Sequence, residues 1–218
     1  MSLLVLQSSN NVQRTSRTMK RKKPFESQLI RDRELLTVTI VCDNFREAVK
    51  LPLGVDINEW LALNIVAFYK QMRRLYATLE EFCTLTTCPD MKAGRYEYRW
   101  VDERTGKRHK MGSSPKYIES VLNWIRTQIY NETIFPKIFG EPFPPNFVDV
   151  VKCISRKLFR VYAHIYHSHF RTIVSLKGEA HLNTCFKHFV LFISEYQLVT
   201  NKKELAPLQK LINIILEA

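Results

Sequence analysis

The longest helical pattern in the chain begins after Asp56. Its apolar side chains recur at gaps of three and four residues, as in a helix that buries one face, at Ile57, Trp60, Leu61, Ile65, Phe68, Met72, Leu75, Leu79 and Phe82. Asp56 is a favourable N-cap, and Glu59 follows three residues later, as in a capping box. Val55 and Trp60 occupy the two positions of a hydrophobic staple. We therefore predict a long amphipathic helix that starts at this point.

Helical spacing returns in the C-terminal half of the chain. It is found in "YIESVLNWIRTQI", in a long segment from about Phe147, and in "LNTCFKHFVLFISEYQLV" and "ELAPLQKLINIILEA". The stripe of the long segment contains Val151, Ile154, Leu158, Val161 and Ile165. Pro89 and the proline-rich "FGEPFPPNF" mark breaks, because proline cannot continue a helix. Long helices joined by short breaks predict an all-α domain built as a helical bundle.

One segment departs from helical spacing. In "RYEYRWVDERTGKRHKMG", Tyr96, Tyr98 and Trp100 alternate with Glu97 and Arg99, which is the period of a β-strand. The glycine of "RTGK" suits a turn. We predict one small β-hairpin here.

The chain is strongly basic. Its 218 residues include 33 Lys and Arg against 21 Asp and Glu, a net charge of +12. This balance favours an anionic partner such as nucleic acid, acidic lipid, or phosphorylated and acidic protein segments, although a solvated basic surface would look the same. Residues 8–24 are polar and basic, so we predict a flexible arm over 1–29 and one helical domain over 30–218. No apolar run has the length of about 18 residues that a membrane span needs.

The cysteines and histidines suggest a metal site in a reducing, cytoplasmic environment, because five cysteines do not suit a secreted disulfide scaffold. Four residues separate Cys83 from Cys88, and four separate His164 from His169. Two thiolates and two imidazoles would complete a closed tetrahedral zinc site. Residues five apart on an ideal helix point about 140° from each other, so the helix must end or distort near His169, or that ligand lies elsewhere. His167 is a rival ligand, and buried residues without metal are the simpler alternative.

A group of cations falls on the long C-terminal helix. Arg156, Lys157 and Arg160 are three or four residues apart, so we expect them to be neighbours on one face, away from the apolar stripe. Clustered like charges repel one another and attract an anion, and arginine forks suit phosphate oxygens. A generic basic surface is the alternative.

Many short segments together resemble one family. In order, "EFCT…CPDM", "YEYRW", "SPKYI", "FPPNF", "LFRVYAHIYHSHF", "EAHLNT", "KHF" and "ELAPLQ" are similar to the Mob (monopolar spindle one binder) family of kinase co-activators, over about residues 30–215. The resemblance implies a Mob-type fold around a four-helix bundle, one structural zinc and no catalytic activity. The family's ligands fall on Cys83, Cys88, His164 and His169.

The resemblance also implies a kinase-binding surface, and it is closest to the branch that binds NDR/LATS-type kinases. In that branch an acidic and aromatic face contacts the basic N-terminal regulatory region of the kinase. The matching residues here are Glu59, Trp60 and His188. Two further acidic positions of the family are Val55 and Ala67 here, which weakens complementarity to a basic helix.

A regulatory role follows from the same resemblance. The face of Arg156, Lys157 and Arg160 matches the one that binds phosphothreonine peptides of upstream Hippo-type kinases or their scaffolds. Thr18 and Thr39 match positions that are phosphorylated in the family. These parallels imply a monomeric adaptor in Hippo signalling and mitotic exit, found in the cytoplasm, the nucleus or at cell-division structures.

Three other functions compete with this one. A zinc hydrolase needs an open coordination position and a base, whereas all four positions appear filled and no H-E-x-x-H occurs. A nucleic-acid binder would use the charge and the aromatic residues for stacking, but Glu97 lies among them, so we expect no nucleic-acid partner. A phosphopeptide or acidic-partner scaffold that does not activate a kinase is the remaining alternative.

Overall fold

The computed structural model describes residues 45–101, 105–138 and 140–217. The predicted arm over 1–29, the first part of the predicted helical domain, and Thr18 and Thr39 lie outside these ranges.

The described part of the chain is mostly helical, as the sequence predicted. Its α-helices are α1 Phe45–Ala48, α2 Ile57–Ala77, α3 Ser114–Tyr130, α4 Phe147–His164, α5 Phe170–Ser175, α6 Glu179–Glu195, α7 Lys202–Leu205 and α8 Gln209–Glu217. A π-helical turn, Ile165–His169, joins α4 to α5, and a 3-10 turn, Ala206–Leu208, joins α7 to α8. None of the helices in the described ranges has both the length and the apolar character needed to cross a membrane.

The core is centred on α2. This helix packs against α3, α4 and α6. Phe68 of α2 meets Phe189 and Phe192 of α6 edge-on, each at 5.3 Å between ring centroids. The stripe from Val151 to Ile165 is fully buried, as its spacing predicted. The long helices therefore share one apolar core that also carries the turn after α4.

Helix α2 starts where the sequence predicted. The predicted apolar stripe, however, is longer at both ends than the buried face that the structure shows. The Asp56 carboxylate accepts hydrogen bonds from the backbone of Asn58 and Glu59, at 2.8 and 3.2 Å. Ile57 and Phe82 are 46% and 40% exposed, so the prediction that they face the core is wrong. Ile57 is the first residue of α2, and Phe82 follows the end of the helix at Ala77, so neither lies over the core.

Replacing Asp56 with alanine should test this cap. The change leaves two backbone N–H groups without their carboxylate acceptor, which costs about 1 kcal/mol. For a chain of this size, we expect Tm to fall by about 2–4 °C. Asp56→Asn retains an acceptor oxygen and should keep the wild-type Tm in calorimetry. An Asp56→Ala variant as stable as the wild type would show that the side-chain cap does not stabilise α2, and equal losses for both variants would assign the effect to the charge of Asp56.

Two short β-ribbons replace the single predicted hairpin. Strand β1, Lys92–Ala93, pairs antiparallel with β2, Tyr96–Glu97, and β3, Trp100–Val101, pairs with β4, Arg108–His109. The prediction of one hairpin is wrong because its alternating segment is divided between the two ribbons. Gly94 has φ of +57°, a conformation that glycine adopts readily, and it forms the tight turn between β1 and β2.

Candidate metal centre and binding surfaces

Four buried side chains converge below the first ribbon. The ligand atoms of Cys83, Cys88, His164 and His169 all lie within 4.8 Å of one another, and none of these residues is more than 5% exposed. Cys83 Sγ is 3.5 Å from His164 Nε2, and Cys88 Sγ is 3.4 Å from His169 Nε2. The structure thus brings together the four residues proposed as ligands.

These distances suit a tetrahedral ion. Zn–S bonds of about 2.3 Å and Zn–N bonds of about 2.0–2.1 Å place sulfur and nitrogen about 3.5 Å apart across the metal. The spacing of the sulfur and nitrogen atoms agrees with this value. Two thiols and two imidazoles are a common donor set for structural zinc, and the group supplies four ligands from the protein itself. The site can therefore hold zinc as a closed structural centre.

The π-helical turn explains how both histidines reach the site. On a regular α-helix, residues five apart diverge, whereas i→i+5 bonding brings them to the same side. The turn spans Ile165–His169, the five residues that follow His164. His164 and His169 consequently lie with ring centroids 5.1 Å apart. The helix is distorted at the place where the sequence required it to end or change.

Threonine side chains shape the loop between the two cysteines. The Thr84 backbone N–H donates to Thr87 Oγ1 at 2.9 Å, and the Thr87 hydroxyl donates to the Phe82 carbonyl at 2.7 Å. Cys88 N–H donates to the Thr84 carbonyl at 2.9 Å. Threonine hydroxyls often stabilise such turns by bonding the local backbone. The sequence "TLTT" between the two cysteines carries the signal for this turn.

The first ribbon orients one imidazole. His164 Nδ1 lies 2.8 Å from the Lys92 carbonyl oxygen and donates a hydrogen bond to it. Its Nε2 is then left as the acceptor that faces Cys83, the form a metal requires. Tyr76 is also a hydrogen-bond partner of Cys83. Neighbouring residues thus orient His164 and Cys83 toward the other two candidate ligands.

Burial sets the protonation of the group. It lowers the pKa of His164 to about 4 and also lowers that of His169, so both imidazoles are neutral near pH 7. Burial raises the pKa of Cys83 to about 12, so this thiol keeps its proton unless a cation replaces it. Zinc binding would release that proton. A divalent ion would balance the negative charge of the thiolates that form when the thiols lose their protons.

The rival histidine faces another part of the chain. His167 Nε2 lies 2.9 Å from the Pro207 carbonyl oxygen, in the 3-10 turn before α8. His167 is therefore outside the cluster of four, and His169 takes the position that the sequence left open between them.

Two of the three residues expected on a kinase-binding face meet the same small helix. Trp60 Nε1 donates to the Val49 carbonyl, just after α1, at 3.3 Å. The His188 ring packs at 5.3 Å from Phe45 of α1 and at 5.0 Å from Phe68. Burial lowers the pKa of His188, which is therefore neutral near pH 7. Helix α1 and the residue that follows it thus contact both side chains, Trp60 through Val49 and His188 through Phe45.

Glu59 and Ala67 lie on α2, and Val55 lies just before its N-cap. The Glu59 carboxylate accepts a hydrogen bond from Gly140 N at 3.4 Å, so the predicted reciprocal bond of a capping box is replaced by this contact. Val55 is 37% exposed, and Ala67 is half-buried on α2. Leu53 is fully exposed and Leu63 is 63% exposed. The surface around the start of α2 therefore combines exposed apolar side chains with the carboxylates of Asp56 and Glu59.

Lys157 does not lie on an exposed basic face. It is 8% exposed, and its Nζ is 4.0 Å from the ring centroid of Trp100 and 4.6 Å from that of Trp124. The prediction that Lys157 lies with Arg156 and Arg160 on a face away from the apolar stripe is therefore wrong for Lys157. A lysine stem packs well on aromatic faces, and its ammonium is attracted to their π-electrons. Lys157 of α4 therefore packs against both the second ribbon, through Trp100, and α3, through Trp124.

The two arginines contact different grooves. Arg156 is exposed and lines a groove of about 500 Å³ with Lys152 and Val148. Arg160 is half-buried and lines a groove of about 600 Å³ beside the ribbons. Asn201 lines both, so the two grooves adjoin there. An extended anionic ligand can therefore reach both arginines across Asn201.

Known proteins match nearly the whole chain. The Mob1/phocein family model matches residues 37–208. "MOB kinase activator-like 2A" of Arabidopsis thaliana is 61% identical over 214 residues, or 98% of each chain. "MOB kinase activator-like 1A" of Medicago sativa subsp. falcata is 54% identical over 218 residues, or 100% of each. "MOB kinase activator-like 1 homolog A" of Dictyostelium discoideum is 49% identical over 205 residues, or 93% of this chain and 96% of the relative.

Proposed function

Because the chain belongs to the Mob1/phocein family, we propose that it is a non-catalytic adaptor that binds and activates a protein kinase of the NDR/LATS type. The observation that carries this proposal is the similarity, along nearly all of both chains, to relatives named as kinase activators. The family's kinase-binding positions fall here on Glu59, Trp60 and His188.

The surface at the start of α2 supports this role. Trp60 is partly exposed, and exposed apolar side chains such as Leu53 and Leu63 lie on or near α2. Aromatic anchors surrounded by apolar groups are typical of protein interfaces, and an amphipathic helix is a suitable partner for such a surface. Asp56 and Glu59 supply negative charge for a basic kinase segment.

A second surface would connect the adaptor to an upstream kinase. We propose that phosphothreonine segments of Hippo-type kinases or scaffolds dock at Arg156 and Arg160, whose grooves meet at Asn201. The buried Lys157 contributes by holding the ribbon wall of this site. A phosphate near −2 accepts several charge-assisted hydrogen bonds, which neutral threonine cannot.

Zinc would have a structural role in this adaptor. Held by Cys83, Cys88, His164 and His169, it would tie the segment after α2 to the turn after α4. The two binding surfaces lie on α2 and α4, so the centre would fix the helices that carry them.

Calorimetry with the N-terminal regulatory segment of an NDR/LATS-type kinase tests the proposal. The segment should bind one-to-one, and binding should weaken with salt, because a basic helix meets the acidic groups near α2. A segment with its Lys and Arg replaced by Gln is the control. Equal binding of both segments, or no binding of either, would contradict the proposed kinase surface.

Restoring the two missing acids should strengthen that interaction. Val55→Glu with Ala67→Asp adds two carboxylates beside the proposed contact. Exposed ion pairs contribute about 0.2–1 kcal/mol each, so the two together should raise affinity about twofold to thirtyfold, mainly at low salt. Asn123→Asp with Thr127→Glu, on the exposed face of α3, is the charge-matched control. If both double variants tighten binding equally, the effect comes from net charge and not from this surface.

A further inference from the structure

The groove beside the ribbons is lined by more positive than negative groups. Its cations are Arg95, Arg99, Arg108, Arg160 and Lys203, and its carboxylates are Glu97 and Glu204. They come from both ribbons, from α4 and from α7. A concave surface with excess positive charge attracts anionic segments. The interior of this groove, however, already contains one anion of the chain itself.

Glu204 occupies the fork of Arg160. Arg160 Nε donates to Glu204 Oε1 at 2.6 Å, and Nη2 donates to Oε2 at 2.8 Å. Arg160 Nη1 donates to the Tyr117 hydroxyl at 3.2 Å. The side chains of Arg160 and Glu204 are only 22% and 13% exposed. Two parallel hydrogen bonds to planar oxygens are the geometry in which an arginine also binds phosphate.

Glu97, the other carboxylate of the groove, pairs with other cations and not with Arg160. Glu97 is 3.2 Å from Lys110 Nζ and 3.6 Å from Arg99 Nε. Within the described ranges, Arg108 and Lys203 make no side-chain ion pair. These two cations keep the groove attractive to an anion even while Glu204 neutralises Arg160.

The backbone at Glu204 is held in place, which leaves its side chain as the movable part. The Asn201 side chain accepts a hydrogen bond from Lys203 N at 2.9 Å. Pro207 and Leu208, just beyond α7, are buried. A glutamate can leave the Arg160 fork by rotating its own side-chain torsions, without unfolding α7.

We propose that Glu204 is a built-in competitor for the phosphate subsite of this groove. A docked phosphothreonine exchanges its phosphate for the Glu204 carboxylate on Arg160, while Arg108 and Lys203 attract the peptide. Glu204 therefore weakens docking and limits it to strongly anionic ligands. This inference rests on the phosphothreonine docking proposed above and adds the residue that opposes it.

Glu204→Gln tests the exchange, because it removes the competing charge and keeps the side-chain shape. The probes are two synthetic peptide pools with the same flanking residues and a central phosphothreonine or threonine. We expect the variant to bind the phosphothreonine pool about tenfold more tightly than the wild type does. Glu97→Gln, the matched control, removes the same charge outside the fork and should tighten binding by no more than about twofold to threefold.

The exchange also requires that the gain depend on Arg160. In an Arg160→Gln background, Glu204→Gln should change affinity by less than about twofold, whereas the Glu97→Gln gain should persist. Glu204→Asp, which is too short to fill the fork as well, should tighten binding in the same direction if the glutamine variant folds poorly. Circular dichroism and Tm check folding of every variant.

The direction in which Glu204→Gln changes the affinity for the phosphothreonine pool decides whether Glu204 is a competitor. Weaker binding by Glu204→Gln would mean that the carboxylate orients Arg160 for the phosphate, which overturns the competitor. An unchanged affinity, or an equal gain in Glu97→Gln, would also overturn it. If the wild type binds both pools equally, the proposed docking itself fails. If the wild type prefers phosphothreonine and Glu204→Gln adds nothing, only the competitor fails.

Discussion

Removing the proposed zinc should lower the Tm of this protein by about 10–20 °C. The four ligands lie in the core, between the end of α2 and the start of α5. Because such a site exists only in the folded chain, metal binding contributes directly to folding. Loss of a metal belongs to the changes that cost more than about 4–5 kcal/mol, and each kcal/mol shifts Tm by about 2–4 °C at this size.

Elemental analysis and calorimetry together measure this effect. We expect one zinc per chain in the wild type and less in Cys83→Ser, with the fall in Tm matched by chelator treatment of the wild type. Cys153→Ser is the control, because Cys153 is a half-buried cysteine of α4 outside the cluster. It should keep its zinc and most of its Tm. A wild-type protein without metal, or a Cys83→Ser variant as stable as wild type, would remove zinc from this account.

Trp60→Ala should weaken binding of the kinase segment about thirtyfold or more. Large aromatic anchors at interfaces commonly contribute at least about 2 kcal/mol, which corresponds to that factor. The indole also donates to the Val49 carbonyl, and through this bond it positions α1 beside His188. The Tyr196 hydroxyl donates to the same carbonyl at 2.8 Å, and Arg46 of α1 donates to the Leu216 carbonyl at 2.7 Å, so these contacts still hold α1 in the variant.

Two further variants separate the interface from the fold. Trp60→Phe keeps an aromatic ring but loses the hydrogen bond to Val49, so it should retain most of the affinity if the ring contacts the kinase. Asn123→Ala removes an exposed side chain of α3, outside this surface, and should leave the affinity unchanged. Titration calorimetry and Tm are measured for all three variants. If Trp60→Phe loses as much affinity as Trp60→Ala, the contribution of Trp60 is the hydrogen bond and the packing of α1.

Sequence patterns predicted those parts of the molecule that local rules determine. The spacing of apolar residues predicted the helices, and Asp56 predicted the start of α2, because periodicity and capping depend on near neighbours in the chain. The divergence of His164 and His169 on a regular helix meant that the helix ends or distorts near His169, or that the second ligand lies elsewhere. A distortion is present, as the π-helical turn. The four proposed ligands are brought together accordingly.

Tertiary contacts decided what the sequence could not indicate. Helical spacing placed Lys157 beside Arg156 and Arg160, but the indoles that cover Lys157 come from the second ribbon and α3. The partner of Arg160 is Glu204, 44 residues further along the chain. The division of the alternating segment into two ribbons likewise depends on pairing with β1 and β4. Such long-range pairs leave no periodic signal.

Kinase activation can be measured with a purified NDR/LATS-type kinase, in the presence and absence of a saturating amount of this protein. Coupling of the usual size predicts a rise of about fivefold or more in phosphate transfer to a peptide substrate. Trp60→Ala at the same concentration should give little rise, and the protein alone should transfer no phosphate. Saturated binding with unchanged kinase activity would contradict activation and leave a protein that only tethers the kinase.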